Sequence, residues 1–355
     1  MTRVVIMANS ITELGGATRV AHVLASGLAG RGHEVTLVGL ETAATPHSFD
    51  APGVESITLF DAPIPSAQDE DERAHADAVI VDRLGEVLGR IGTGTIITTQ
   101  VWCKEMLDLV PHEGWQVIGQ YHSSSEAAER SGDAERLVTS YAEADIVMAL
   151  TQADADAFAS WGLRTAMAMP NPVAFWPEQP SPLTDRVITY LGRMSVEKAP
   201  DLLARAWELV AASHQDWRLR FIGSGPLLDD VRAMGLPRTQ FVEPTQNPMS
   251  YLLGSSVLAL PSLVEGFPLS LLEAMACGLP VVAADASAGV RELVREEITG
   301  LLTVRGSIEH FAEQLDRLLA DEDMRRSMGA QARRDAEAYR LDPILDRWEG
   351  LLRNS

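Results

Sequence analysis

The chain reads as an α/β protein made of two parallel-sheet domains in tandem. Three observations predict this. Short apolar runs alternate with longer amphipathic ones, a cluster of prolines interrupts that rhythm near the middle, and the rhythm then starts again. The 355-residue length suits about two domains of roughly 100 to 200 residues each.

The first domain opens with RVVIMA, residues 3–8, apolar throughout as a strand covered on both faces must be. GATRVAHVLASGLAGRGH follows with helical spacing, and EVTLVGL returns as a strand. TIITTQ, WQVIGQYH and DIVMAL are further strands, the last followed by the helical TQADADAFASWG. ETAATPHSFDAPGV and the acidic AQDEDER read as loops. In MPNPVAFWPEQPSP, Pro170, Pro172, Pro177, Pro180 and Pro182 disfavour helix and mark an extended connector. Beyond it come strand VITYLG, helix DLLARAWELVAA, strand WRLRFIG, a helix after GSGPLL, strand SVLAL, helix LLEAMACG, strand PVVAAD and a helical tail. The expected division is 1–172, 173–335, and a 336–355 helix, broken near Asp342-Pro343, with a return to the first domain as one option for it.

Composition narrows the function. With 29 Lys plus Arg against 50 Asp plus Glu, the net charge of −21 argues against general affinity for nucleic acid or anionic lipid. Cys103 and Cys277 lack metal-ligand spacing, which suits a reduced, cytoplasmic protein. No run approaches the ~20 apolar residues of a membrane span, so stable membrane insertion is not expected.

Parallel sheets bind ligands at the carboxyl ends of their strands, and five such places carry polar or glycine residues. In ELGGATR, Gly15 and Gly16 let the backbone approach a phosphate at a helix N-terminus, although a glycine pair serves equally as a tight turn. His122 follows a strand as a candidate for substrate hydrogen bonding or proton transfer, or as a satisfied core histidine. Arg193 and Lys198, in LGRMSVEK, can grip a diphosphate; alternatively Glu197 and Lys198 form a solvated pair. In EGFPLSLLEAMACGLP, Pro268 suits a first helical turn, leaving Glu265 before the helix and backbone donors at Gly266, Phe267 and Leu269. A role for Glu265 in complementing the helix dipole does not account for Glu273, deeper among Leu271, Leu272, Ala274 and Met275. Eight positions separate the two carboxylates, about 12 Å if all were helical. Paired glycosidase carboxyls are roughly 5 to 9.5 Å apart, so these fit two ends of one long ligand better. Asp285, ending PVVAAD, is the fifth, and can simply cap the next turn.

These segments, in this order, resemble the family-4 retaining glycosyltransferases of GT-B fold over nearly the whole chain. Glu265 to Pro280 looks like the family's E-x7-E signature, supported by Gly15-Gly16-Ala17, Gly30 to Val35, Pro170-Asn171-Pro172, Gly192-Arg193 with Glu197-Lys198, and Gly223-Ser224-Gly225-Pro226. The resemblance implies two Rossmann-like domains facing each other across a cleft. It implies that Glu273 binds the ribose of a nucleotide sugar, and that Glu265 with the backbone of Gly266, Phe267, Pro268 and Leu269 holds the transferred sugar. Arg193 and Lys198 would neutralise the diphosphate, Gly16 would add donors, His122 would sit beside the sugar, and the base would stack near Phe241 to Pro244, including Val242. VVAADASAG resembles the branch common among enzymes using UDP-hexoses or UDP-N-acetylhexosamines, which makes UDP the expected carrier. The region VEPTQNP departs from the family's usual glycine-containing turn.

No metal and no cofactor is expected, since no Asp-x-Asp cluster stands in a suitable setting and the resemblance implies metal independence. The expected partners are the nucleotide-sugar donor and a hydroxyl-bearing acceptor, a small metabolite or a glycan; no dense Lys/Arg cluster in residues 40 to 110 suggests a membrane-bound one. The alternatives are a catalytically silent nucleotide-sugar-binding protein, or a transferase of cell-surface polysaccharide or teichoic acid assembly. A Rossmann oxidoreductase would need a fuller glycine fingerprint.

Overall fold

The computed structural model describes residues 1–65 and 69–352, which form two compact units: Met1–Ala174 together with the segment from Leu341, and Phe175–Arg340. The first unit holds seven strands: β1 Arg3–Ser10, β2 Glu34–Glu41, β3 Val54–Phe60, β4 Thr95–Thr98, β5 Gln116–Gln120, β6 Ile146–Ala149 and β7 Ala166–Ala168. They pair in parallel in the order β3-β2-β1-β4-β5-β6-β7. The order reverses between β1 and β4, where an open α/β sheet leaves a crevice at its strand ends.

The second unit repeats the scheme with six parallel strands: β8 Val187–Leu191, β9 Arg218–Ile222, β10 Thr239–Val242, β11 Val257–Leu260, β12 Val281–Ala284 and β13 Gly300–Thr303. Their order is β10-β9-β8-β11-β12-β13, and the reversal lies between β8 and β11. Both units are Rossmann-like. Central strands are buried end to end, as Val5, Ile6 and Met7 of β1 and all of β11 illustrate. This explains why their sequences lack polar alternation.

Two expectations are corrected. The acidic AQDEDER was expected to be a loop; Ala67 and Gln68 lie outside the described residues, but the helix Glu70–Ile91 starts within the remainder. Its three first-turn acids complement the helix dipole, and Ala76, Ile80, Leu84, Val87 and Leu88 form a buried stripe at helical spacing. The segment after residue 53, with no strand assigned to it, forms β3.

The tail divides into helices Ile308–Ala320, Glu322–Ala336 and Leu341–Glu349, so the break falls at Glu337–Arg340 and Pro343 sits in the first turn of the last helix. That helix belongs to the first unit. Ile344, Leu345 and Trp348 are buried with Leu24 and Leu28 of the helix Gly16–Gly30. Arg31 at its end bonds Asp342, Asp346 and Glu349.

Candidate functional site

In the second unit the site grows from the loops after β8 and β11, the two strands flanking the reversal. After β8 the chain turns through Gly192 and Arg193 into the short 3-10 helix Val196–Lys198. The Glu197 carbonyl accepts from the backbone N–H groups of Leu263 and Val264 at 2.7 and 3.2 Å, stitching this turn to the loop that delivers Glu265. Lys198 Nζ then meets Glu265 Oε1 at 2.8 Å, with the lysine about one-third exposed and the carboxylate only 6% exposed. The alternative of a solvated Glu197–Lys198 pair is therefore set aside: the lysine's bonded partner is Glu265. Arg193 is exposed, and the Tyr190 hydroxyl donates to its carbonyl at 2.6 Å.

Glycines fix this geometry. Gly223 and Gly225, in GSGP, both have left-handed φ values, +141° and +151°, and an added Cβ would lie 2.0 Å from the Gly192 oxygen and 2.5 Å from the Met194 oxygen. A Cβ on Gly289 would lie 1.9 Å from the Gly266 oxygen. No side chain fits there. The Ser287 hydroxyl donates to that same Gly266 oxygen at 3.1 Å and accepts from the Val290 N–H as the cap of the helix Ala288–Leu293. The sequence gives Ser287 and Gly289 no role beyond their place in VVAADASAG, the stretch whose resemblance implies a UDP carrier.

The helix carrying Glu273 runs Leu269–Ala276, with Pro268 as its N-cap at ψ 112°, not in the first turn as expected. Only Leu269 onward is helical, so the span of about 12 Å for an all-helical path does not apply between the carboxylates. Phe267 is buried and packs on Tyr339 with ring centroids 5.5 Å apart, while Gly266 and Leu269 keep partial exposure. Glu273 is 3% exposed. Asp285 does not cap the next helix; it pairs with Arg291 at 2.7 Å, and the cap is Ser287.

At the proposed base region the Phe241 ring stacks on Phe221 at 5.4 Å and carries the Arg232 guanidinium 5.5 Å from its centroid. It is engaged in the unit's own packing. Half-buried Val242 accepts at its carbonyl from the Gly223 N–H at 3.0 Å, which ties this strand end to the glycine turn beneath Arg193.

In the first unit Gly15 is the N-cap of the helix Gly16–Gly30, exposed, with no side-chain cap and no acid in the first turn. Its φ of −154° suits any residue, and a Cβ there would meet nothing within 4 Å. A tight turn does not require glycine here, and the N–H groups of this helix end are open to an anion.

His122 is half-buried past the end of β5. Burial of the ring pushes its pKa down to about 4, so the imidazole is neutral near pH 7. It lines a cavity of about 250 Å³ at the ends of β1, β4 and β5, with Gln100, Trp102, Tyr121, Asp133 and Arg136. Among the described residues, His122 Nε2 and Trp102 Nε1 are shielded from solvent and have no hydrogen-bond partner. The satisfied-core alternative for His122 thus fails at Nε2. Gln100 is held by the Asn9 N–H, which donates to its Oε1 at 2.7 Å.

No group of three or more His, Cys, Asp or Glu with metal-binding geometry occurs among the described residues. Cys103 and Cys277 are free and buried, and no described helix is long and apolar enough to cross a membrane.

Residues 175–335 match the family described as glycosyl transferases group 1. An uncharacterized glycosyltransferase of Haemophilus influenzae is 25% identical over 353 residues, 97% of this chain and 98% of the relative. The amylovoran biosynthesis glycosyltransferase AmsD of Erwinia amylovora is 25% identical over 99% of this chain and 100% of its own length. Among solved structures, a mutant of TarM from S. aureus, in complex with fondaparinux, alpha-GlcNAc-glycerol and UDP, aligns over 99% of both chains with a TM-score of 0.81. At 14% identity that likeness is one of fold.

Proposed function

We propose, from the match of residues 175–335 to glycosyl transferases group 1 and from the GT-B fold, that the chain is a glycosyltransferase that moves a hexose or N-acetylhexosamine, with retention, from a UDP-sugar to a hydroxyl acceptor. The observation that carries this reading is the Lys198–Glu265 pair, a cation and a nearly buried carboxylate held 2.8 Å apart beside the entrance of the Glu273 helix.

In this reading Glu273 binds the ribose, and Glu265 with the backbone of Gly266 to Leu269 binds the transferred sugar. Val242 flanks the base, and Arg193 and Lys198 face the diphosphate. Gly15, Gly16 and His122 are the first unit's contribution to phosphate and sugar binding. The bond from the anomeric carbon to the β-phosphate oxygen breaks as the acceptor oxygen attacks from the same face, and the acceptor proton passes to the departing phosphate. Negative charge grows on that phosphate in the transition state. Fixed cations and backbone donors stabilise it most at that moment, which lowers the barrier instead of merely tightening binding. The reading assigns this charge stabilisation to protein groups, so chelator should leave activity unchanged.

AmsD, similar over its full length, is named for amylovoran biosynthesis, which favours a growing cell-surface polysaccharide as the acceptor over a small metabolite. A thermal-shift panel of UDP-, GDP-, ADP- and TDP-sugars tests the donor, because a ligand of the native state raises its stability by mass action. A UDP-sugar should give the largest shift, and proton NMR of the product should show the donor's anomeric configuration kept. A larger shift with a GDP- or ADP-sugar, or an inverted product, would overturn the corresponding part.

A further inference from the structure

We propose that Tyr339, the penultimate residue before the chain leaves the second unit, is a positioning residue for the loop Glu265 to Leu269. It fixes the backbone that holds the transferred sugar, not the part of the site that holds the nucleotide. The inference rests on the transferase reading above and deepens it by naming a further residue on which sugar binding depends.

Contacts are the first argument. The buried Phe267 ring, between Gly266 and Pro268 in the chain, packs against the Tyr339 ring with centroids 5.5 Å apart and planes 55° apart. The Tyr339 hydroxyl donates to Glu292 Oε1 at 3.3 Å. Glu292 stands on the helix Ala288–Leu293, whose cap Ser287 donates to the Gly266 carbonyl and whose Gly289 leaves no room for a Cβ beside that same oxygen. The loop is thus closed into a ring of contacts: Gly266 is held from the helix, Phe267 is held by Tyr339, and Tyr339 is bonded back to the helix. A backbone fixed at two adjacent residues has already lost the freedom that sugar binding would otherwise have to remove.

The path of the chain is the second argument. Tyr339 ends the 3-10 helix Glu337–Tyr339, a single turn whose own hydrogen bonds hold it weakly, so its ring needs an outside anchor. Arg340 supplies one. Its guanidinium lies 5.0 Å from the centroid of Trp176, the second residue of this unit, and Arg333 lies 4.7 Å from the same ring. Arg333 also donates to the Pro177 carbonyl at 2.7 Å and to the Ala276 carbonyl, at the C-terminal end of the helix that carries Glu273. The entering and leaving segments of the chain therefore meet on one indole and reach both ends of that helix. Glu273 lies within the helix and is buried, so it stays in place without the Tyr339 ring, whereas Gly266 and Phe267 precede the helix and lie outside its ladder.

Hydrogen exchange and calorimetry on the full chain test this, with Tyr339→Ala removing the ring and Tyr339→Phe removing only the hydroxyl. Amide exchange in a peptide covering residues 264–272 should be about fivefold faster or more in Tyr339→Ala, while a peptide of the helix Pro200–Val210 exchanges as in the wild type. UDP-glucose and UDP-N-acetylglucosamine are the donor probes. Whichever the wild type binds more tightly should bind Tyr339→Ala about fivefold more weakly, the worth of about one hydrogen bond, with UDP affinity kept within about twofold. Tyr339→Phe should match the wild type in exchange and in both affinities. Arg340→Ala, at an exposed position, should speed exchange of the same peptide to a smaller extent, and it decides the matter if Tyr339→Ala does not fold. Unchanged exchange at 264–272, UDP weakened as much as the UDP-sugar, or Tyr339→Phe behaving as Tyr339→Ala would overturn the proposal. If the peptide exchanges faster in Tyr339→Ala while the wild type binds neither UDP-sugar, the donor assignment falls and the tie between Tyr339 and the loop stands.

Discussion

The two candidate sites are built by opposite means. In the second unit the groups hold one another: Lys198 is bonded to Glu265, the Glu197 carbonyl takes two N–H groups from the facing loop, and three glycines sit where a Cβ would strike backbone oxygen. In the first unit Gly15 faces open space, and Trp102 Nε1 and His122 Nε2 lack partners among the described residues. A closed set of contacts preorganises one half for a fixed ligand. Open valences leave the other half to be completed by what binds.

The largest expected effect is on chemistry in the preorganised half. Lys198→Ala should lower kcat by about 10²- to 10³-fold, the usual loss when one transition-state electrostatic contact is removed, with a smaller change in donor Kd. Lys198→Arg, which keeps the charge, should recover part of it. Unchanged turnover in Lys198→Ala would remove the lysine from the reaction and blunt the contrast.

Next in size is a pair of glycine replacements that tests the contrast directly. Gly289→Val places atoms on the Gly266 carbonyl and should cost about 3 kcal/mol or more. Gly15→Ala, with free space and an ordinary φ, should leave thermal stability unchanged while weakening UDP binding. Equal melting temperatures for the two variants would erase the distinction.

Glu273→Ala should raise the donor Kd by about 10- to 100-fold through loss of hydrogen bonds to a charged acceptor, and calorimetry with UDP reads it. An unchanged Kd would reassign Glu273 to structure alone.

The smallest effect is one of pH. The folded pKa of His122 is about 4, below the ordinary 6.5, so the unfolded chain takes up the proton first as pH falls. Stability should therefore be flat above pH 6.5 and decline between 6.5 and 4, by about 2 kcal/mol for a half-buried residue. His122→Gln should flatten that slope in pH-dependent urea unfolding. If the slope persists in the variant, it belongs to other groups.

The strands missed or left unassigned in the sequence share a position. β3, β7, β10 and β13 are the four sheet edges. β3, β7 and β10 are mostly half-buried or exposed, so they lack the unbroken buried apolar run that marks β1, β11 or β12. β13 is four residues long and opens on Gly300, whose missing side chain admits the Val281 carbonyl.

The sequence by itself determined two repeats of a parallel-sheet scheme and singled out the second unit's candidate residues, since residues held by a short loop or one helix keep a fixed spacing that reads as a motif. Glu265, Glu273, Lys198 and the GSGP turn are of this kind. Only the tertiary structure decided that Lys198 bonds Glu265 rather than pairing with Glu197, that Gly289 and Ser287 shape the Gly266 loop, and that Trp102 and His122 share a cavity with unmet hydrogen bonds. Those contacts join residues about 20 to 70 positions apart, brought together by strand order. Strand order follows from how buried surfaces pack against one another, which no local pattern records.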